Sequence, residues 1–178
     1  MPMLISSELE QAINAQIGRE FGASLQYLNI ASYFAGDDLP QLAAFFYRQS
    51  DEERMHAMKF GKYIVDAGGQ VRIPAVEAPK HDFASAEECV KLSLDWELEV
   101  TRQINSLMDL AIEQKDHIAQ EFLRWFVNEQ LEEVSTMETL LKTVRRAGQN
   151  LLLVEDFLVR NPLPAPAANA PAAEGAAG

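Results

Sequence analysis

Apolar residues recur at helical spacing in four runs of roughly thirty residues each, and the three joints between those runs are unequal. Nothing else in the chain restricts its fold as strongly. The first run extends from Ser7 to about Ala35, and the second from the Gly36–Pro40 break to about Ala67. The third runs from Ser85 to about Gln114 and the fourth from Asp116 to about Arg146. Local chemistry accounts for these limits. Ser7 with Glu10, and Ser85 with Glu88, have the spacing of capping boxes, while Asp37 or Asp38, and Asp116, are N-cap residue types. Gly68-Gly69 and Gly148 stop helices, and Arg145 with Arg146 suits a C-terminal dipole. A short apolar helix, Leu151 to about Val159, follows.

Two of the joints are short, which makes the helices they connect antiparallel neighbours. The middle connection, Gly68 to Ala84, lacks periodicity and carries Pro74 and Pro79. A helix of this length spans about 43 Å at about 1.5 Å per residue. The connection, fully extended, reaches about 56 Å at ~3.3 Å per residue. It can therefore run the length of the bundle and start the third helix parallel to the second. The expectation is an all-α four-helix bundle with one long crossover between helices 2 and 3, plus a short fifth helix, within residues 1–160. From Asn161 the composition changes to NPLPAPAANAPAAEGAAG, which cannot bury enough to offset its ordering entropy. Residues 161–178 are expected to form a disordered tail, either solubilising or docking a partner.

The formal net charge of −12 argues against nucleic acid as a partner and favours cations. No run approaches the ~20 apolar residues that span a bilayer. The single cysteine, Cys89, precludes an internal disulfide, and the start MPMLISSELE has no leader-like pattern. These features predict a soluble, cytoplasmic protein.

The helical stripes contain residues that an apolar face has no use for. The second helix presents Phe46, Gln49, Glu53, His56, Phe60 and Tyr63 on one face. The first presents Ile13, Ile17, Glu20, Ser24, Tyr27 and Ala31, and the third Val90, Leu94, Glu97, Thr101, Ile104, Met108 and Ala111. The fourth presents Phe122, Phe126, Glu129 or Gln130, Glu133, Met137, Leu140 and Val144. Each helix thus carries a glutamate near its middle, where antiparallel helices meet at one level. Glu20, Glu53, Glu97, Glu133 and His56 should converge. Four buried carboxylates cannot all stay ionised without cations, because desolvation costs several kcal/mol per ion and repulsion adds to it. Two divalent metal ions would neutralise them. Oxygen-rich ligation with one imidazole suits iron or manganese better than structural zinc. Dimetal bundles supply a Glu from each of two helices and a Glu-x-x-His from each of the other two. Glu20 and Glu97 match the single carboxylates and Glu53-x-x-His56 matches one motif; Gln130-x-x-Glu133 is an altered version of the other.

On these residues, together with Tyr27 and the stretch FLRWFVNEQLEE (Phe122–Glu133), the chain from Ser7 to about Val159 resembles the bacterial-type non-haem ferritins. The resemblance implies that Glu20, Glu53 and His56 bind a first iron. Glu53 would bridge to a second iron held by Glu97 and Glu133, with Gln130 close by. A third, nearby iron position maps to Glu52, Glu129, Glu132 and Glu133, and the last three share a helical face at i, i+3 and i+4. The implied activity is ferroxidase oxidation of Fe(II) to Fe(III) by O2 or H2O2, with ferric mineral stored inside a homo-oligomeric shell of twenty-four subunits. Tyr27 is implied as an electron donor with help from Trp125, although both positions also suit core packing. The short helix Leu151–Val159 suits either a subunit junction or its own bundle.

Departures from the family pattern narrow the reading. Arg54 follows Glu53 where haem-binding bacterioferritins have a methionine, and Glu133 stands where they keep a histidine. No haem is expected. The acidic pore residues of animal ferritins correspond to Gln120 and Leu123. Rubrerythrin-like peroxidases add a four-cysteine iron site that one cysteine cannot form. Two alternatives are open to the sequence: a dimetal oxidase or peroxidase that stores nothing, and a metal-free helical interaction protein.

Overall fold

The structure, a computed structural model, describes residues 3–163, and its described residues form five helices and no strand. The helices are α1 (Ser7–Gly36), α2 (Pro40–Asp66), α3 (Ala86–Glu113), α4 (His117–Ala147) and α5 (Leu152–Arg160). α1 packs on α2 and α3 on α4, with α1 also meeting α3, as expected for antiparallel pairs joined by short turns. The segment expected to be a tail falls almost wholly outside the described residues.

Two helix starts differ from the sequence expectation. Ser6, not Ser7, caps α1, its hydroxyl accepting from the Leu9 amide at 3.1 Å. Glu10 closes no capping box, because its carboxylate accepts instead from the Gln70 amide of the crossover at 3.1 Å. Neither Asp37 nor Asp38 caps α2, which begins with Pro40 in its first turn. Its first amides are met from far along the chain: the Glu155 carboxylate on α5 accepts from Gln41 N at 2.8 Å and Leu42 N at 2.9 Å. This places a negative charge on the positive end of the α2 dipole and ties α5 to its own bundle. Val154 and Leu158 bury the other side of that contact. The caps by Ser85 on α3 and Asp116 on α4 are present.

The crossover runs along α1 and is pinned to it at two levels. Asn14 donates to Gln70 O at 3.0 Å and accepts from Arg72 N at 2.5 Å. Gln26 donates to Lys80 O and accepts from Lys80 N, both at 2.9 Å. These two amides sit twelve residues apart, about 18 Å along the helix. Between them Pro74 lies so close that a Cβ on Gly18 would stand 2.5 Å from its ring, which is why a glycine occupies that turn.

Two apolar clusters flank the middle of the bundle. One, towards the α1–α2 turn, includes Ile30, Phe34, Leu42, Phe45, Phe46, Met137 and Leu140, closed over by α5. The other, towards the α3–α4 turn, includes Leu9, Ile13, Ile17, Ile104 and Leu123, with Phe60 stacked on Phe126 at 4.0 Å. Between them the buried residues become polar.

Candidate metal centre

The central layer is built by one position on each helix, supported by others a turn away. Glu20 on α1, Glu53 and His56 on α2, Glu97 on α3, and Gln130 and Glu133 on α4 are all buried. The structure brings Glu20, Glu53 and His56 together, sets Glu133 with His56 in a second group, and buries Glu97 beside them.

Among the described residues two sets bring ligand atoms within 4.8 Å of one another inside each set: Glu20, Glu53 and His56, and Glu52, His56, Glu129 and Glu133. His56 belongs to both. Its imidazole lies edge-on to Trp125 at 5.4 Å and to Phe126 at 5.7 Å, which fixes the ring between the groups. Glu97 falls in neither group; its two oxygens accept from the Tyr27 hydroxyl and, at 3.5 Å, from the Gln130 amide. Thr101 holds that amide by donating to Gln130 Oε1 at 2.9 Å. Tyr27 is fully buried and also packs against Phe46, so it belongs to both core and centre. Glu132 is exposed and acts on Glu52, Glu129 and Glu133 through its charge.

Electrostatics mark this layer as out of balance. Burial pushes the Glu20 carboxyl upward, and burial with neighbouring carboxylates pushes Glu53 and Glu133 well above the usual range. Burial lifts Glu97 to about 7, and burial with the adjacent Glu129 lifts Glu52 to about 8. The same burial lowers His56 to about 4, leaving it neutral and able to ligate. Oε2 of Glu20 and Oε1 of Glu53 are buried without any hydrogen-bond partner. A buried carboxylate oxygen with no donor is costly unless a proton or a cation meets it.

Two of the amides that orient these carboxylates carry no ligand signature in the sequence. Gln16 donates to Glu20 Oε1 at 2.9 Å and itself accepts from Arg19 at 3.1 Å. Gln49 donates to Glu52 Oε2 and to Glu133 Oε2, each at 3.1 Å. The available signal was their position one turn ahead of the glutamates, on the buried face.

With this geometry in view, residues 10–147 match the family model described as the ferritin-like domain. The chain belongs to the ferritin family. It is 42% identical over 156 residues to a protein named Ferritin BfrB of Mycolicibacterium smegmatis, covering 88% of this chain and 86% of that one. It is 39% identical over 147 residues to the bacterial non-heme ferritin of Staphylococcus aureus, covering 83% and 89% respectively. A solved open pore ferritin from Archaeoglobus fulgidus superposes with a TM-score of 0.84 at 32% identity, covering 88% of this chain and 98% of that one. The ferritin bundle and its short fifth helix are therefore the fold expected from the sequence, and iron storage is the function associated with that family. No helix among the described residues is long and apolar enough to cross a membrane.

Proposed function

We propose that the chain is an iron-storing ferroxidase that takes Fe(II) as substrate in its central layer. It passes the electrons to O2 or H2O2 and delivers Fe(III) to a mineral inside a cytoplasmic shell of twenty-four copies. Glu20, Glu53 and His56 hold the first iron, and Glu53, Glu97 and Glu133 hold the second, with Gln130 orienting Glu97. Glu52, Glu129 and Glu132, together with Glu133, form the outer position through which oxidised iron leaves. Residues 1–160 carry this activity as one domain. We assign Tyr27 the role of auxiliary electron donor, supported by its hydrogen bond to Glu97, which offers its proton an acceptor.

The observation that carries the reading is the pair of buried, unpartnered carboxylate oxygens on Glu20 and Glu53. Glu20 and Glu53 also each bring a ligand atom within 4.8 Å of one on His56, which burial keeps neutral. Two Fe(II) ions balance the four charges of Glu20, Glu53, Glu97 and Glu133, and their binding displaces the protons that burial otherwise keeps there. Oxidation of two Fe(II) releases two electrons; O2 takes them with two protons and leaves as H2O2. In this buried layer the carboxylates attract the more highly charged Fe(III) more strongly than Fe(II), which favours its formation.

Stopped-flow absorbance after aerobic Fe(II) mixing tests the reading, using wild type and Glu53→Ala. The rapid phase should vanish in the variant while its elution volume stays that of the assembled wild type. Oxidation by Glu53→Ala at the wild-type rate would overturn it.

A further inference from the structure

Gln49 lies where the inner pair and the outer group meet. It is 4% exposed, and its side-chain nitrogen carries two protons. That nitrogen reaches Oε2 of Glu52 at 3.1 Å, Oε2 of Glu133 at 3.1 Å and Oε1 of Glu133 at 3.5 Å. In the function proposed above Glu133 belongs to both the second iron position and the outer one, whereas Glu52 belongs to the outer one alone. One uncharged donor therefore spans two carboxylates with different duties. Glu52 and Glu133 also lie within 4.8 Å of each other, along with Glu129 and His56. Adjacent carboxylates repel when a cation leaves them, and a fixed donor shared between them lowers the cost of that vacated state. It also keeps both oxygens turned towards the same point, so an ion leaving Glu133 finds Glu52 already oriented.

Resting on the ferroxidase reading, we propose that Gln49 is a positioning residue for iron transfer: its amide holds Glu133 and Glu52 together so that iron passes from the oxidising pair to the outer group. The residue touches no reacting atom in this account. It acts through the two carboxylates it joins.

The proposal separates the first turnover from the later ones. The first turnover needs only the inner pair filled, whereas sustained oxidation needs that pair emptied. Two variants of the full-length assembled protein probe this: Gln49→Leu, which removes the donor, and Gln49→Glu, which replaces it with a third carboxylate of the same shape. The ratio of sustained rate to first-turnover rate should fall in both, by about tenfold for one lost hydrogen bond to a charged group. Calorimetric titration with Zn(II), which undergoes no redox step, then distinguishes positioning from simple damage. Affinity at the weakest resolved Zn(II) position should fall about tenfold in Gln49→Leu and rise by a similar factor in Gln49→Glu. A side chain that merely fills space would shift both variants in the same direction. An unchanged rate ratio, or Zn(II) affinities that move together, would overturn the proposal while leaving the ferroxidase reading intact. A wild type with no rapid oxidation phase would remove both.

Discussion

The apolar ends of the bundle and its central layer are made from the same four helices but obey opposite rules. At the ends, Phe34, Phe46, Leu42 and Met137, or Leu9, Phe60, Ile104 and Phe126, lose their accessible surface to one another. Each such side chain contributes on the order of 1.5–3 kcal/mol through burial. In the middle, Glu20, Glu53, Glu97 and Glu133 are equally dry, and every one of them is pushed away from its ionised form. Stability is gathered at the two ends and used to hold an unfavourable cluster between them. The difference shows where a bundle keeps its chemistry: in the layer whose removal would make the empty protein more stable.

Substitutions can break this contrast, and the largest effect belongs to the ends. Phe34→Ala, which opens a cavity in the cluster nearest α5, should cost about 3–5 kcal/mol in denaturant unfolding and leave Fe(II) oxidation per folded chain unchanged. A loss below about 1 kcal/mol would show that the ends do not carry the fold. Glu53→Gln should do the reverse. Burial forces a proton onto Glu53 that an unfolded glutamate has lost at pH 8, and Gln removes that cost, so the metal-free protein should gain about 2 kcal/mol there while rapid oxidation is lost. Destabilisation of the metal-free form by that change would contradict the asymmetry. An intermediate effect belongs to Glu155, which joins α5 to the first turn of α2. Glu155→Ala should cost about 1–2 kcal/mol, by removing an N-cap and a charge suited to the helix dipole.

The smallest effect sharpens the comparison without any substitution. Glu97 at about 7 and Glu52 at about 8 are raised in the folded protein above the roughly 4.3 of an unfolded glutamate. In that window the folded state binds more protons, so these groups contribute stability that is present below about pH 4.3 and lost as pH rises through 7 and 8. His56, lowered to about 4, works the other way between that value and about 6.5. Above pH 6.5 only the carboxylates act. The melting temperature of the metal-free protein should decline from pH 6.5 to 8.5, and Zn(II) should abolish the decline by taking the place of the protons. A rising or flat profile for the metal-free protein would mean that the layer is not as dry as its geometry indicates.

The glutamates could be read from the sequence because helical periodicity alone places them on the buried face, and a charge there has few explanations. His56 could be read for the same reason, at three residues from Glu53. Its membership of both ligand groups could not, because that depends on how α4 seats Glu129 and Glu133 opposite it. Gln16, Gln49 and Thr101 were visible only as polar residues in or beside apolar stripes. An amide in such a stripe announces neither its partner nor its direction. The helix starts show the same boundary between local and distant causes. Ser85 and Asp116 cap from within their own turns, as their spacing indicates. The cap on α2 comes from Glu155, a residue 113 positions beyond the Leu42 amide it receives, and no local pattern can announce that.

In the proposed function the polar layer turns over iron and does not simply bind it. The most direct measurement is size-exclusion chromatography after repeated aerobic additions of Fe(II), following protein and ferric absorbance together. Iron far in excess of the ligand positions on each chain, co-eluting with one very large particle, is the expected result. Iron that stops at the number of those positions, on a small oligomer, would contradict it.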